Sequence, residues 1–338
     1  MSSRVLVRTV VVALAVGACG DEGGSASADT TAAADTAEPR PDAPTPWIFE
    51  DDAAPVTPTL DAAALTIALE AALEAALELD PAVVKELFDL LRPPPVIGGG
   101  DQVGCPFLLT QDYGTAKAFY WQGECTAEDG TAYSGYGYAS WYDDFVADGG
   151  SVVDGFEYAL AGRIEGADGT WLEGAGTVRA YDGGTADVDG FARGIDGTFR
   201  AGGPRAPDSP WLDGTRRPSL LVSGWIYRPT GGKSLTFAGG IGGLDFPGGV
   251  TAVALDDLLV RTRTAGAACQ DEPGGGASVR GPDGSWYDVV FDGPTEEEPG
   301  ATPPELCDGC GETWFRGAAL APTCVETAPL VSWEGRPW

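Results

Sequence analysis

The stretch PELCDGCGETWF, residues 303 to 314, holds the pair of side chains whose spacing most suggests chemistry, Cys307 and Cys310. A Cys-x-x-Cys pair serves half a zinc site, a redox dithiol, or two ends of separate disulfides. A structural zinc site needs four ligands, usually a second such pair or histidines. This chain has one Cys-x-x-Cys pair and no histidine at all. A redox dithiol needs a lowered thiolate pKa at a helix N-terminus. Here the pair encloses Asp308-Gly309, a turn sequence with acidic neighbours that raise a thiol pKa. The reading is therefore structural: both cysteines end disulfides.

The missing histidines also exclude Ser-His-Asp and Cys-His nucleophilic sites and every His-ligated metal. Carboxylates remain, since the chain has 51 Asp+Glu against 20 Lys+Arg, a formal net charge of −31. A glycosidase needs two of them at a set separation, and with so many acids the sequence selects no pair. A candidate calcium loop is TADVDGFARGID, residues 185 to 196, with Asp187, Asp189 and Asp196 near ligand positions. It lacks an acid at Thr185 and has Asp rather than Glu at its end. Two β-turns with solvated carboxylates are the simpler reading of it. The ten tryptophans, among them Trp121, Trp141, Trp171, Trp225, Trp286 and Trp314, raise carbohydrate binding on a sheet face. The competing reading is that they pack against the abundant glycine. The acidic surface repels nucleic acid and anionic headgroups. No catalytic constellation and no cofactor motif is recognisable.

The elements that position these residues follow from the rest of the chain. It begins MSSRVLVRTVVVALAVGACGDE, with Arg4 and Arg8 before an apolar run, Val10 to Val16, too short to span a bilayer. The following Val16-Gly17-Ala18-Cys19 resembles the lipobox of bacterial lipoproteins. The resemblance covers these first residues only. It implies that residues 1–18 are a signal peptide, that Cys19 carries the lipid, and that the protein is exported and membrane-anchored. Gly20 directly after the cysteine, rather than Asp, implies the outer membrane or a periplasmic or cell-surface face. Residues 19–58 are mostly Ala, Asp, Thr, Gly, Ser, Glu and Pro, which bury too little to repay ordering and read as a disordered tether. As a coil it would reach ~30–35 Å.

Residues 59–95 read as a helical hairpin. Leu65, Leu69, Leu73 and Leu77 recur every four residues, with Glu70, Glu74 and Glu78 on another side. Thr59 or Asp61 can cap this helix. Asp80-Pro81 starts a second, with Val84, Leu87, Phe88 and Leu91 as its apolar face and Pro93 to Pro95 as its stop. The acidic polar face disfavours a membrane surface, so the hairpin is expected to pack on its own downstream domain.

From 96 to 338 the character is β: short alternating runs such as KAFYWQG, TAYSGYGYASW and LLVSGWIYR, bounded by Gly, Asp or Pro. The expectation is a mainly β domain of ten to twelve antiparallel strands, a meander forming a sheet, sandwich or open barrel. Asp-Gly-Thr or Asp-Gly-Ser occurs at 129, 168, 196, 213 and 283, and Asp-Gly supplies the positive φ of tight hairpin turns. DGTAYSG, residues 129 to 135, resembles the hairpin of MORN-type repeats over these few residues. Six further cysteines, Cys105, Cys125, Cys269, Cys307, Cys310 and Cys324, predict three disulfides in an exported chain. Cys105 pairs naturally with Cys125, and Cys307 and Cys310 with Cys269 and Cys324 in an order the sequence leaves open. The functional expectation is a non-catalytic structural or protein-interaction role at the cell envelope. Carbohydrate binding through exposed tryptophans is the alternative, and a glycosidase-like enzyme the third.

Overall fold

The computed structural model describes residues 57–95, 99–112, 114–146, 151–262, 272–295, 302 and 306–332. The expected signal peptide, Cys19, nearly all of the expected tether and Cys269 lie outside the described residues.

Two helices open the described chain. The first, α1 (Ala62–Leu77), is capped by Asp61, whose carboxylate accepts the Ala64 N–H. That satisfies one of the amides a helix start leaves unpaired. Thr59, the other candidate, is used differently. Its hydroxyl donates to Asp283 at 2.6 Å and its N–H to the Tyr287 hydroxyl at 2.6 Å, tying the chain to the sheet before the helix begins. The second helix, α2 (Pro81–Leu91), starts as expected, with Asp80 as cap and Pro81 at the first position. Leu65, Leu69, Leu73 and Leu77 are buried, but so are Ala68, Ala72 and Ala76. The buried face of α1 is thus wider than a leucine stripe, and its alanines let the backbone approach its neighbours closely. The expected face of α2, Val84, Leu87, Phe88 and Leu91, is buried too.

The rest is one antiparallel meander. Its strands are β1 (Gly100–Gln102), β2 (Phe107–Asp112), β3 (Ala116–Thr126), β4 (Ala132–Val146), β5 (Val152–Glu165), β6 (Trp171–Gly184), β7 (Val188–Gly202), β8 (Arg217–Tyr227), β9 (Gly232–Gly242), β10 (Ala252–Arg261), β11 (Gly274–Arg280), β12 (Trp286–Asp292), β13 (Cys310–Phe315), β14 (Ala318–Ala319) and β15 (Thr323–Cys324). Each pairs with the next in sequence, except that β15 returns to pair with β13. The sheet has fifteen strands rather than ten to twelve. The excess is β1, β14 and β15, each too short to show alternation in the sequence. The helices pack on one face of the sheet, α2 against β5 to β7 and α1 against β8 to β11 and β15, in one shared core.

Two local devices explain how so much glycine builds a stable sheet. The first is the turn. At Asp129, Asp168 and Asp283 the carboxylate accepts the N–H of Thr131, Thr170 and Ser285, at 2.9 to 3.0 Å. The glycines between have φ of 82 to 85°, a region open to glycine at little cost. Asp213 makes the same bond to Thr215 in the β7–β8 connection. The fifth copy departs from expectation, because Asp196-Gly197-Thr198 lies in the middle of β7. Asp196 pairs with Thr177 on one side and Ser219 on the other, so two strand neighbours override the local turn signal. A Cβ at Gly197 would lie 2.1 Å from the Ala175 carbonyl oxygen, which identifies its role as close backbone approach.

The second device pairs large aromatics with glycine in register. Trp121 faces Gly137, Phe199 faces Gly174 and Phe191 faces Gly224 on the helix side. Trp171 faces Gly202, Tyr181 faces Gly155 and Trp225 faces Gly190 on the other side. A Cβ at Gly137 would sit 2.1 Å from the Trp121 indole nitrogen, and one at Gly190 2.2 Å from the Trp225 ring. The rings lie across the missing side chains, an aromatic covering of strand glycines.

Candidate binding surface

Alternation along β2, β3 and β4 sends Leu108, Phe119, Trp121 and Tyr133 into the core. The intervening residues, Phe107, Leu109, Tyr120, Gln122, Tyr136 and Tyr138, therefore share the face away from the helices. Register brings them into rows. Phe107, Gln122 and Tyr136 are directly opposite one another across three strands, and so are Leu109, Tyr120 and Tyr138. Phe107 is 40% and Tyr136 56% exposed. Between them lies a shallow groove of about 290 Å³, lined by Phe107, Leu109, Tyr120, Trp121, Gln122, Tyr136 and Gly137. None of these side chains is charged. The tyrosines are held in place, with the Tyr120 and Tyr138 rings 4.8 Å apart. Burial pushes the Tyr138 phenol up to about 12, so it stays neutral. Further along the same face, Tyr181 donates to Glu157 at 2.9 Å and packs against Tyr142.

The opposite face of these strands holds a charged cluster. Lys85, Asp89 and Arg92 occupy one side of α2, at spacings of four and three residues. Asp89 accepts from Lys85 at 2.8 Å, Arg92 at 2.7 Å and the Tyr158 hydroxyl at 2.8 Å. Trp141 donates its indole N–H to the same Tyr158 oxygen. Arg92 lies over the Trp141 ring at 4.9 Å and Lys85 over Phe156 at 5.5 Å. Burial alone would raise the Asp89 carboxyl, but the bonds from Lys85, Arg92 and Tyr158 outweigh it and hold the group below its ordinary value. Both cations are thus spent on Asp89 and on rings. The cluster is a helix-to-sheet fastening rather than an open site.

The residues selected from the sequence are placed as follows. Cys105 bonds Cys125, and Cys310 bonds Cys324, at Cα separations of 5.9 and 3.8 Å. Cys307 is also disulfide-bonded. Around it the CDGC stretch repeats the Asp-Gly turn: the Asp308 carboxylate accepts the Cys310 N–H at 3.0 Å, and Gly309 has φ 72°. The calcium candidates are not brought together. Asp189 is held by Arg228, and Asp196 lies seven residues further along the same strand, about 23 Å away at ~3.3 Å per residue. Among the described residues no group of three or more cysteine or carboxylate side chains is placed to hold a metal ion. Trp121 and Trp211 are buried, while Trp141, Trp171, Trp225, Trp286 and Trp314 are half-buried. No described tryptophan is fully exposed, so the described tryptophans do not form the exposed platform that the carbohydrate alternative called for. The exposed rings on this face of β2 to β4 are Phe107 and Tyr136, neither of them a tryptophan. Their signal was the alternation of KAFYWQG and TAYSGYGYASW, which sets Tyr120, Gln122, Tyr136 and Tyr138 opposite in parity to Trp121 and Tyr133.

The chain matches no family model, no curated protein and no solved structure.

Proposed function

We propose that this chain is an exported protein anchored to a membrane by lipid on Cys19, and that it binds a partner rather than transforming a substrate. The observation that supports binding most directly is the uncharged groove flanked by Phe107 and Tyr136, on a chain of net charge −31. An exposed aromatic patch on so acidic a surface is a contact site in need of explanation. The anchor rests on the lipobox resemblance at Val16 to Cys19. The non-catalytic reading rests on where the acids are spent. Asp129, Asp168, Asp213, Asp283 and Asp308 brace their own turns. Asp89, Asp182 and Asp189 are taken by arginines.

Two experiments test the two halves separately. Cys19→Ser should move the chain from the membrane to the soluble fraction, and retention would defeat the anchor. A photo-crosslinking residue replacing Tyr136 should give a discrete adduct in intact cells, while the same residue at exposed Tyr227 should not. Absence of any adduct from the groove would remove its binding role.

A further inference from the structure

Resting on that reading, we infer that the groove at Phe107, Gln122 and Tyr136 takes a neutral saccharide chain. The lining carries no charge, and the negative field of the whole chain disfavours anionic polymers such as nucleic acid or acidic polysaccharide. The three residues stand in direct register on β2, β3 and β4. At about 4.8 Å per strand the two rings are some 10 Å apart, with the Gln122 carboxamide between them. A pyranose presents an apolar C–H face and a rim of hydroxyls that both donate and accept. The rings of Phe107 and Tyr136 meet the first requirement. Gln122, with two donors and an acceptor, and the Tyr136 hydroxyl meet the second. An acyl chain or apolar peptide would leave that amide and the Tyr136 phenol desolvated without partners.

Size and rigidity agree. About 290 Å³ is at the small end for a ligand site, and the groove is shallow, so a chain would lie across it with a few rings in contact. The Tyr120–Tyr138 ring pair and the Trp121–Gly137 contact beneath fix the floor before any ligand arrives, which lowers the ordering cost of binding.

The test uses the full chain in detergent, titrated with neutral hexasaccharides (cellohexaose, xylohexaose, chitohexaose) beside polygalacturonate as the anionic control. At least one neutral chain should produce a saturable change in intrinsic fluorescence below about 1 mM, the weak end of measurable affinity. Tyr136→Ala and Phe107→Ala should each weaken it at least tenfold with an unchanged melting temperature. Tyr227→Ala should change it less than twofold. The inference is overturned if no neutral chain binds, if polygalacturonate binds better, or if both groove variants bind like the parent. Should no saccharide bind while Tyr136 crosslinks a protein in cells, the saccharide assignment fails and the binding reading stands. Should the groove yield neither, both fail.

Discussion

The two helices meet the same sheet by different physics. Helix α1 reaches β8 to β11 through side chains that exclude water entirely: Leu65, Leu69 and Leu73 have no exposed surface. Its polar contacts are at the margins, as where Thr66 donates to the Cys324 carbonyl and Trp211 to that of Glu78. Helix α2 reaches β5 to β7 with a half-exposed charged cluster added to its apolar face, Asp89 joining Lys85, Arg92 and Tyr158. The strands differ in parallel. In β10 the consecutive residues Ala252 to Leu255 and Leu258 to Val260 are all buried, so both faces are covered. In β3 and β4 burial alternates, and the outer face is left for the aromatic groove. Apolar surface for a ligand needs a strand that keeps a wet side, as β3 and β4 do and β10 does not.

The largest effect that would break this comparison is on α1. Leu69→Ala removes a fully buried side chain from a close-packed face and should cost about 2–5 kcal/mol. Chemical denaturation should show that loss nearly unchanged from pH 4 to pH 8 and from low to high salt, since no charge is involved. A strong salt dependence would mean that α1 is not held by packing alone.

Asp89→Asn should cost less, about 1–3 kcal/mol, because it weakens charge-assisted bonds to Lys85, Arg92 and Tyr158 while keeping the shape. Its pH dependence has a definite sign. The folded Asp89 carboxyl lies below its ordinary value, so its contribution is present above the unfolded pKa and fades as pH falls through the folded one. The difference between parent and variant should therefore be full at pH 7 and shrink toward pH 2. An equal difference at both would show that the cluster contributes shape and no charge.

The same division governs how much the sequence could reveal. Caps at Asp61 and Asp80, leucines at fours and the Asp-Gly turns act within a few residues, and each was legible. So was the structural use of CDGC, whose Asp308 turn is built like that at Asp129. Asp196-Gly197 failed because pairing with both β6 and β8 outranked the local preference. The Asp89–Tyr158 bond spans 69 residues, and no periodicity connects those positions. The Cys310–Cys324 choice needed the return of β15 to β13, where these two cysteines are register partners. The groove needed the registers of three strands at once. Alternation could say which residues share a face, but not that Phe107, Gln122 and Tyr136 share a row.

The smallest effect concerns a carboxylate whose shift opposes that of Asp89. Glu272 sits in the C-terminal half, 3% exposed, accepting the Gly309 N–H at 3.0 Å with one oxygen while the other has no hydrogen-bond partner among the described residues. Burial pushes its pKa up, and the neighbouring Asp308 and Asp292 carboxylates push it further, against the pull of the Gly309 amide. Asp292 is itself raised by burial, then by Glu312 and Asp308. A carboxyl raised on folding stabilises below its unfolded pKa and loses that contribution as pH climbs through the folded value. Glu272→Gln keeps an acceptor for Gly309 and removes the charge. It should leave the melting temperature unchanged at pH 4 and raise it at pH 8, by a gain on the order of 1 kcal/mol, the scale of relieving one poorly compensated buried group. The Asp89 variant loses most at neutral pH, and the Glu272 variant gains most there. A Glu272→Gln protein that is less stable at pH 8 would show that the buried carboxylate, like Asp89, is held by a partner and not merely confined.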